Sequence, residues 1–345
     1  MGGANNSTEE LAAPDGPVKA RGLNSRLRHL MAGQAAWLFI VLALLIVFFS
    51  AMRPDGFPTV ANARNVATDA AILLVLGVGS TFVILTSGID LSINGVVIFS
   101  GVIAAKVMVA LGGDSVPVIA LGLVAAMLAG TAWGIVNGFL VAKAHIPPLI
   151  VTLGTLGMSL GASLLLTNGV DIAYIPINLV LSLGSGRIGG VPWLVIVAVL
   201  VALGGALILA LTKFGRYTYA VGSSPEACRR AGINISTHLI KVYALAGCLS
   251  GLAGFLSLAR FATTTLSGHT TDNLQTIAAV VIGGTSLFGG VGSMIGTVIG
   301  VFIPVVLLNG FVILGLQPFW QQVAIGAVLI AAVYFDQLRR RMRDR

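Results

Sequence analysis

VPWLVIVAVLVALGGALILAL, residues 191–211, runs for 21 positions without one charged side chain. At 1.5 Å per residue a helix of this length is about 31 Å long, and the hydrocarbon core of a bilayer is about 30 Å thick. The stretch reads as a membrane span, and the rest of the chain repeats it. Hydrophobic residues make up 57% of the 345 positions and charged residues only 9%, which excludes an ordinary soluble domain.

Apolar runs bounded by breaks place further spans at 34–52, 66–86, 94–111, 116–136 and 147–167 before this one, and at 241–260, 276–289, 292–314 and 318–335 after it. The expected fold is therefore an all-α polytopic membrane protein of about ten transmembrane helices. The eighth run, 276–289, is short for a crossing and reads as re-entrant or buried in protein. Expected boundaries are a disordered cytoplasmic tail at 1–33, a transmembrane domain at 34–335 with a cytoplasmic loop at 212–240, and a basic cytoplasmic tail at 336–345. The polar segment before the first span contains Glu9, Glu10 and Asp15, unlike the short basic start of a cleaved signal.

A net charge of +8 raises the question of where the cations sit, rather than of nucleic acid, for which no partner role is expected. With ten crossings, Lys19, Arg21, Arg26, Arg28, Lys143, Lys213, Arg216, Arg229, Arg230, Lys241 and the arginines from Arg339 to Arg345 fall on one side. Arg53, Arg64, Lys106, Arg187 and Arg260 fall on the other. Cations concentrate on the cytoplasmic side, so both termini of this multi-pass protein are expected there.

The 44 glycines recur at i, i+4 spacing, as in Gly130, Gly134 and Gly138 or Gly292, Gly296 and Gly300, with shorter pairs at Gly157/Gly161 and Gly247/Gly251. Such stripes let helices approach closely in lipid. Cys228 and Cys248 fit no metal or redox spacing and read as packing residues. The histidines at 29, 145, 238 and 269 show no ligand spacing either, so neither a metal nor a catalytic residue is expected. SGIDLS (87–92) and GGTSLF (283–288) echo each other, each following a span on the same expected side.

The polar insert continuing from the opening span reads TKFGRYTYAVGSSPEACRRAGINISTHLI, residues 212–240. Ser223 and Glu226 have capping-box spacing, Pro225 suits a first turn, and Gly232 can supply a left-handed stop. They predict a two-turn helix from Pro225 to Ala231 carrying Ala227, Arg229 and Arg230. So short and polar a helix needs neighbouring loops or a partner to hold it.

Glu226-Ala227-Cys228 followed by Gly232 resembles the EAA-x3-G loop of ATP-binding-cassette importer permeases. GIDLSING (88–95), IPPLIVTLGTL (146–156), FGRYTYAVGSSPEA (214–227), IAAVVIGGTSLFGGVGSMIGT (277–297) and PFWQ (318–321) extend the likeness in order along nearly the whole chain after residue 34. The chain is thereby similar to the ribose, xylose and galactose class of binding-protein-dependent sugar permeases. The resemblance implies a type II-like permease fold and a second permease copy, identical or paralogous. It also implies ATP-binding subunits docked at Ser223 to Gly232 and a periplasmic solute-binding protein. ATP and Mg would sit on the partner subunits, and this chain would bind no cofactor. The lack of any Gly-Lys pair, hence of a GxxxxGK[ST] loop, agrees.

Two positions depart from that family. NLQTIAA (273–279) stands where relatives read ELDAIAA, replacing two carboxylates with Asn273 and Gln275 at an expected outer position, and Asn94 replaces a glycine. Candidate pathway residues are Asp90, as a gate contact or as a cap for the following helix, and Asn309, Gln317, Trp320 and Gln321. The last four suit a polyol, or else helix-end bonding and interfacial anchoring. An ion-coupled secondary transporter is the alternative reading. It usually carries paired intramembrane charges, whereas Asp69, Asp90, Lys106 and Arg260 lie near span ends.

Overall fold

The computed structural model describes residues 21–317 and 319–343. Five helices come first: α1 (Arg21–Met52), α2 (Val60–Leu85), α3 (Ile93–Ala110), α4 (Val116–Ala142) and α5 (Pro148–Thr167). A connection follows, formed by the short α6 (Ile177–Leu179), a π turn (Val180–Gly184) and a two-residue hairpin, β1 (Arg187–Ile188) against β2 (Val191–Pro192). Then come α7 (Trp193–Leu211), α8 (Lys213–Ser223), α9 (Pro225–Arg230), α10 (Ile235–Phe261), α11 (Asp272–Ile282), α12 (Met294–Ile313) and α13 (Phe319–Arg343). Among the described residues seven helices, α2 to α5, α7, α10 and α12, are long and apolar enough to cross a membrane.

Helix ends follow local chemistry. Thr59 accepts the Asn62 amide and starts α2 six residues before the expected span. Asn234 accepts the Thr237 amide and starts α10 at Ile235 rather than 241. The last residues of the loop expected at 212–240 are therefore already helical. Residues 21–33, expected to belong to the tail, are helical within α1, and 336–343 continue α13. The remainder of the expected tails, 1–20 and 344–345, lies outside the described residues.

α2 is the central post, buried along almost its whole length and surrounded by a core that includes Val75, Phe82, Tyr243 and Leu256. α4 and α10 form a seam in which side chains are nearly absent. A Cβ on Gly130 would collide with the Gly247 carbonyl oxygen, and one on Gly134 with that of Tyr243. The stripe at Gly296 and Gly300 meets α11 in the same way, at Gly283 and Ala279. The Gly157/Gly161 pair differs, since nothing lies within 4 Å of either Cβ position.

The short eighth run becomes α11, 11 residues long, followed by an irregular segment to Ser293. That backbone is paired inside the protein: Thr285 N–H donates to Val280 O at 3.1 Å, Ser286 N–H to Val291 O at 2.8 Å and Gly290 N–H to Leu85 O at 2.9 Å. Irregular chain at membrane depth is tolerated under that condition. The other end of α11 is tied to α10 by His269, whose ring nitrogens meet Ser257 at 2.8 Å and Asp272 at 2.7 Å.

Candidate coupling site and pathway residues

α9 is built by its two ends. Its N-cap is Ser224, whose Oγ accepts the Ala227 amide at 3.3 Å. This corrects the expected cap at Ser223, which instead closes α8 and packs against Gly290. Pro225 occupies the first helical position, where no N–H is needed. The helix runs to Arg230 and Ala231 is its C-cap. Gly232 adopts φ +77, with its N–H donating to Arg229 O and that of Ile233 to Cys228 O. Those two bonds are the Schellman pattern, which needs a left-handed residue at this point.

Cys228 is the one buried residue of α9. Glu226 and Arg230 form a weak exposed pair at 3.9 Å. Arg229 lines a cleft of about 300 Å³ with Val141, His145, Asn234 and Leu239. A short helix standing out beside a cleft is a shape for a partner to grip.

α8 was not expected from sequence. Thr212 caps it by accepting the Gly215 amide at 3.1 Å, and its amphipathic pattern turns Thr218, Val221 and Gly222 inward. Burial raises the Tyr219 phenol above its usual value, and its hydroxyl donates to Gly292 O at 3.0 Å. Gly222 fits directly against the Leu85 carbonyl, where any Cβ would collide. Ser87, at φ +63, donates its hydroxyl to Phe288 O at 2.8 Å. The two echoing segments therefore touch, and Ser87 of the first also lies 3.4 Å from Gly222 O of α8.

The pathway residues do not converge. Asp90 is buried in the connection between α2 and α3, and no cation among the described residues pairs with it. It accepts the N–H (2.8 Å) and the hydroxyl (2.6 Å) of Ser92, itself the residue that precedes α3. The carboxylate thus fixes the cap residue and does not bond the first turn of the helix. Asn309 lies toward the opposite end of the bundle in a reciprocal amide pair with Asn62, 3.0 Å each way. Trp320 lines an apolar groove with Phe311, Leu316 and Val323. Gln317 is exposed and Gln321 half-buried.

Asn273, expected on the outer side of the membrane, is buried within the protein and extends its amide to Leu91 O at 3.4 Å. A carboxylate there could not donate that bond. Gln275 turns back to Thr271 at 2.9 Å, and Asn94 accepts the amide of Gly95 at 3.0 Å. Sequence reasoning missed Ser92, Asn137 and Thr155, which join Asp90 in one buried chain. Their signal was faint: isolated polar residues within otherwise apolar runs.

A bundle of long apolar helices with leucines exposed along its outer faces defines a multi-pass membrane protein. The chain belongs to the family described as branched-chain amino acid transport system / permease component, whose model matches residues 62–333. It is a transport-system permease of the inner membrane. It is 37% identical over 314 residues to the ribose import permease protein RbsC of Escherichia coli K12, covering 88% of this chain and 96% of that one. It is 34% identical over 344 residues to the fructose import permease protein FrcC of Rhizobium meliloti (97% and 94%). To the D-allose transport system permease protein AlsC of Escherichia coli K12 it is 34% identical over 301 residues (87% and 90%). No solved structure matches the chain.

Proposed function

We propose that this chain is the permease of an ATP-driven importer for a sugar or sugar-like solute. Two copies, identical or paralogous, would form the pathway. ATP-binding subunits carrying ATP and Mg would grip α9, and a periplasmic binding protein would deliver solute at the opposite end. The observation that carries the reading is α9, capped at both ends, polar outside and anchored by Cys228 alone. It is shaped to be held by something other than its own bundle.

We count α1, α11 and α13 as crossings beside the seven long helices, ten in all, and on that count the cation asymmetry supports a cytoplasmic location for α9 and both termini. A second copy is supported by α5, where Gly154, Gly157 and Gly161 have open space at their Cβ positions. The other helical glycine stripes, on α4, α10 and α12, are filled by a neighbouring helix. Fold alone does not set cargo, and the family description names branched-chain amino acids. The sugar reading rests on the ribose, fructose and allose relatives, which align over most of the chain.

The test is uptake into proteoliposomes containing the permease, its cognate ATP-binding subunits and its solute-binding protein, scanned with labelled pentoses and hexoses. Uptake of one of them is expected only with ATP. Deleting residues 226–231 is expected to abolish both uptake and co-purification of the ATP-binding subunits, with membrane insertion intact. Accumulation driven by a proton or sodium gradient without ATP would overturn the reading in favour of a secondary carrier.

A further inference from the structure

The irregular segment 86–92 is constrained from two directions. On one side it meets the coupling segment. Leu85 O receives the Gly290 N–H and backs onto Gly222, and the Ser87 hydroxyl bonds Phe288 O while lying 3.4 Å from Gly222 O. α8 ends at Ser223 and α9 begins at Pro225, so two residues, Ser223 and Ser224, separate α9 from Gly222 in this grip.

On the other side the segment meets α5. Thr152 lies 3.3 Å from Ile89 O. The Thr155 hydroxyl donates to Asn137 Oδ1 at 2.7 Å, Asn137 Nδ2 donates to Ser92 Oγ at 2.8 Å, and Ser92 Oγ donates to Asp90 at 2.6 Å. Every donor points toward the carboxylate. With no cation among the described residues paired to it, Asp90 is held by this file of hydroxyl and amide protons, and a chain polarised in one sense is strengthened link by link.

α5 is the helix at which this chain ends. Its bundle-facing stripe is polar, Thr152, Thr155, Ser159 and Ser163, all buried. Its other side carries the open glycines. α5 meets the 86–92 segment and α4 through directional bonds, which can be exchanged, while Gly95 of α3 packs against its Leu156 and Ser159.

We propose that residues 85–92 are the link that carries displacement of α9 into α5, with Ser87, Asp90, Ser92, Asn137 and Thr155 as its positioning residues. The inference rests on the reading that ATP-binding subunits act through α9. Movement of α9 shifts Gly222, Gly222 shifts Leu85 and Ser87, and the Asp90 file draws Thr155 and thus α5.

The test compares Thr155→Val, Thr155→Ser and Ser87→Ala in proteoliposomes with the ATP-binding subunits and the binding protein, measuring ATP hydrolysis and sugar uptake on the same vesicles. Thr155→Val cuts the α5 end of the link and Ser87→Ala the α8 end, and both should co-purify the ATP-binding subunits normally. Solute moved per ATP is expected to fall by roughly two- to thirtyfold in both, the range for residues that modulate coupling. Thr155→Ser, which keeps the hydroxyl, is expected to retain the wild-type ratio. An unchanged ratio in Ser87→Ala and Thr155→Val overturns the proposal. So does a proportional loss of hydrolysis and uptake with a lowered unfolding temperature, which marks a purely structural role. Failure of the underlying reading is seen separately, as ATP-binding subunits that still bind after deletion of 226–231.

Discussion

Replacing Ser224 with alanine removes the oxygen that accepts the Ala227 amide. Loss of an N-cap of this kind costs about 1 kcal/mol. α9 has few other supports: the two C-terminal bonds around Gly232, one buried side chain in Cys228, and an ion pair whose members are 83% and 86% exposed. Such a pair adds little. A cost of about 1 kcal/mol therefore falls almost entirely on local opening of α9 and raises the open population about fivefold. Hydrogen–deuterium exchange of the peptide covering 225–233, in lipid nanodiscs without partners, reads that population directly. Ser224→Asp restores an acceptor and places a negative charge at the helix start, so its exchange should match or fall below wild type. Ser223→Ala should leave exchange in this peptide unchanged, because Ser223 closes the preceding helix. Acceleration by Ser223→Ala with none by Ser224→Ala would refute the capping assignment.

Two further outcomes follow from packing. Asn309→Leu removes both amide bonds to the buried Asn62 and should destabilise the protein by about 1–3 kcal/mol, read as a lower unfolding temperature in detergent. Lost sugar affinity at unchanged stability would instead restore Asn309 to the pathway. Gly134→Leu forces a side chain into the Tyr243 carbonyl and should cost about 1–3 kcal/mol or more. Gly157→Leu points into open space and should leave the unfolding temperature alone while lowering the dimer fraction measured by native mass spectrometry.

The long spans were legible because their signal is additive: twenty apolar residues outvote any single exception. Their ends were less so. Thr59 and Asn234 each start a helix with one hydrogen bond, and hydropathy registers neither. In the coupling segment the composition announced a cap, but the doublet Ser223-Ser224 offered two candidates one residue apart. Only the φ of −158° at Ser224 and its bond to Ala227 separate them. α8 escaped notice because Gly215 and Gly222 break its helical pattern, and both are required by close approach to neighbouring backbone. The amide and hydroxyl residues of the Asp90 chain come from positions 45 and 18 residues apart, a tertiary juxtaposition without a local signature.

The same chemistry divides the bundle into parts that stay fixed and parts free to shift. Along α4 and α10, and again along α11 and α12, backbone lies against backbone, so any sliding drives carbonyls into Cα atoms within a fraction of an ångström. These pairs behave as rigid units. α5 packs closely on α3 at Gly95, but its contacts to the segment 86–92 and to α4 include hydroxyls and amides that can trade partners. Asn273 belongs to the same economy of exchangeable bonds. Buried at the start of α11 with its amide reaching Leu91 O, it ties a rigid pair to the movable segment by one long hydrogen bond. A carboxylate in its place would face that carbonyl with no proton to offer, would need a cation the described surroundings do not supply, and would push the segment away. The amide therefore sets how firmly α11 holds the 86–92 segment, and with it the resistance that a displaced α9 has to overcome.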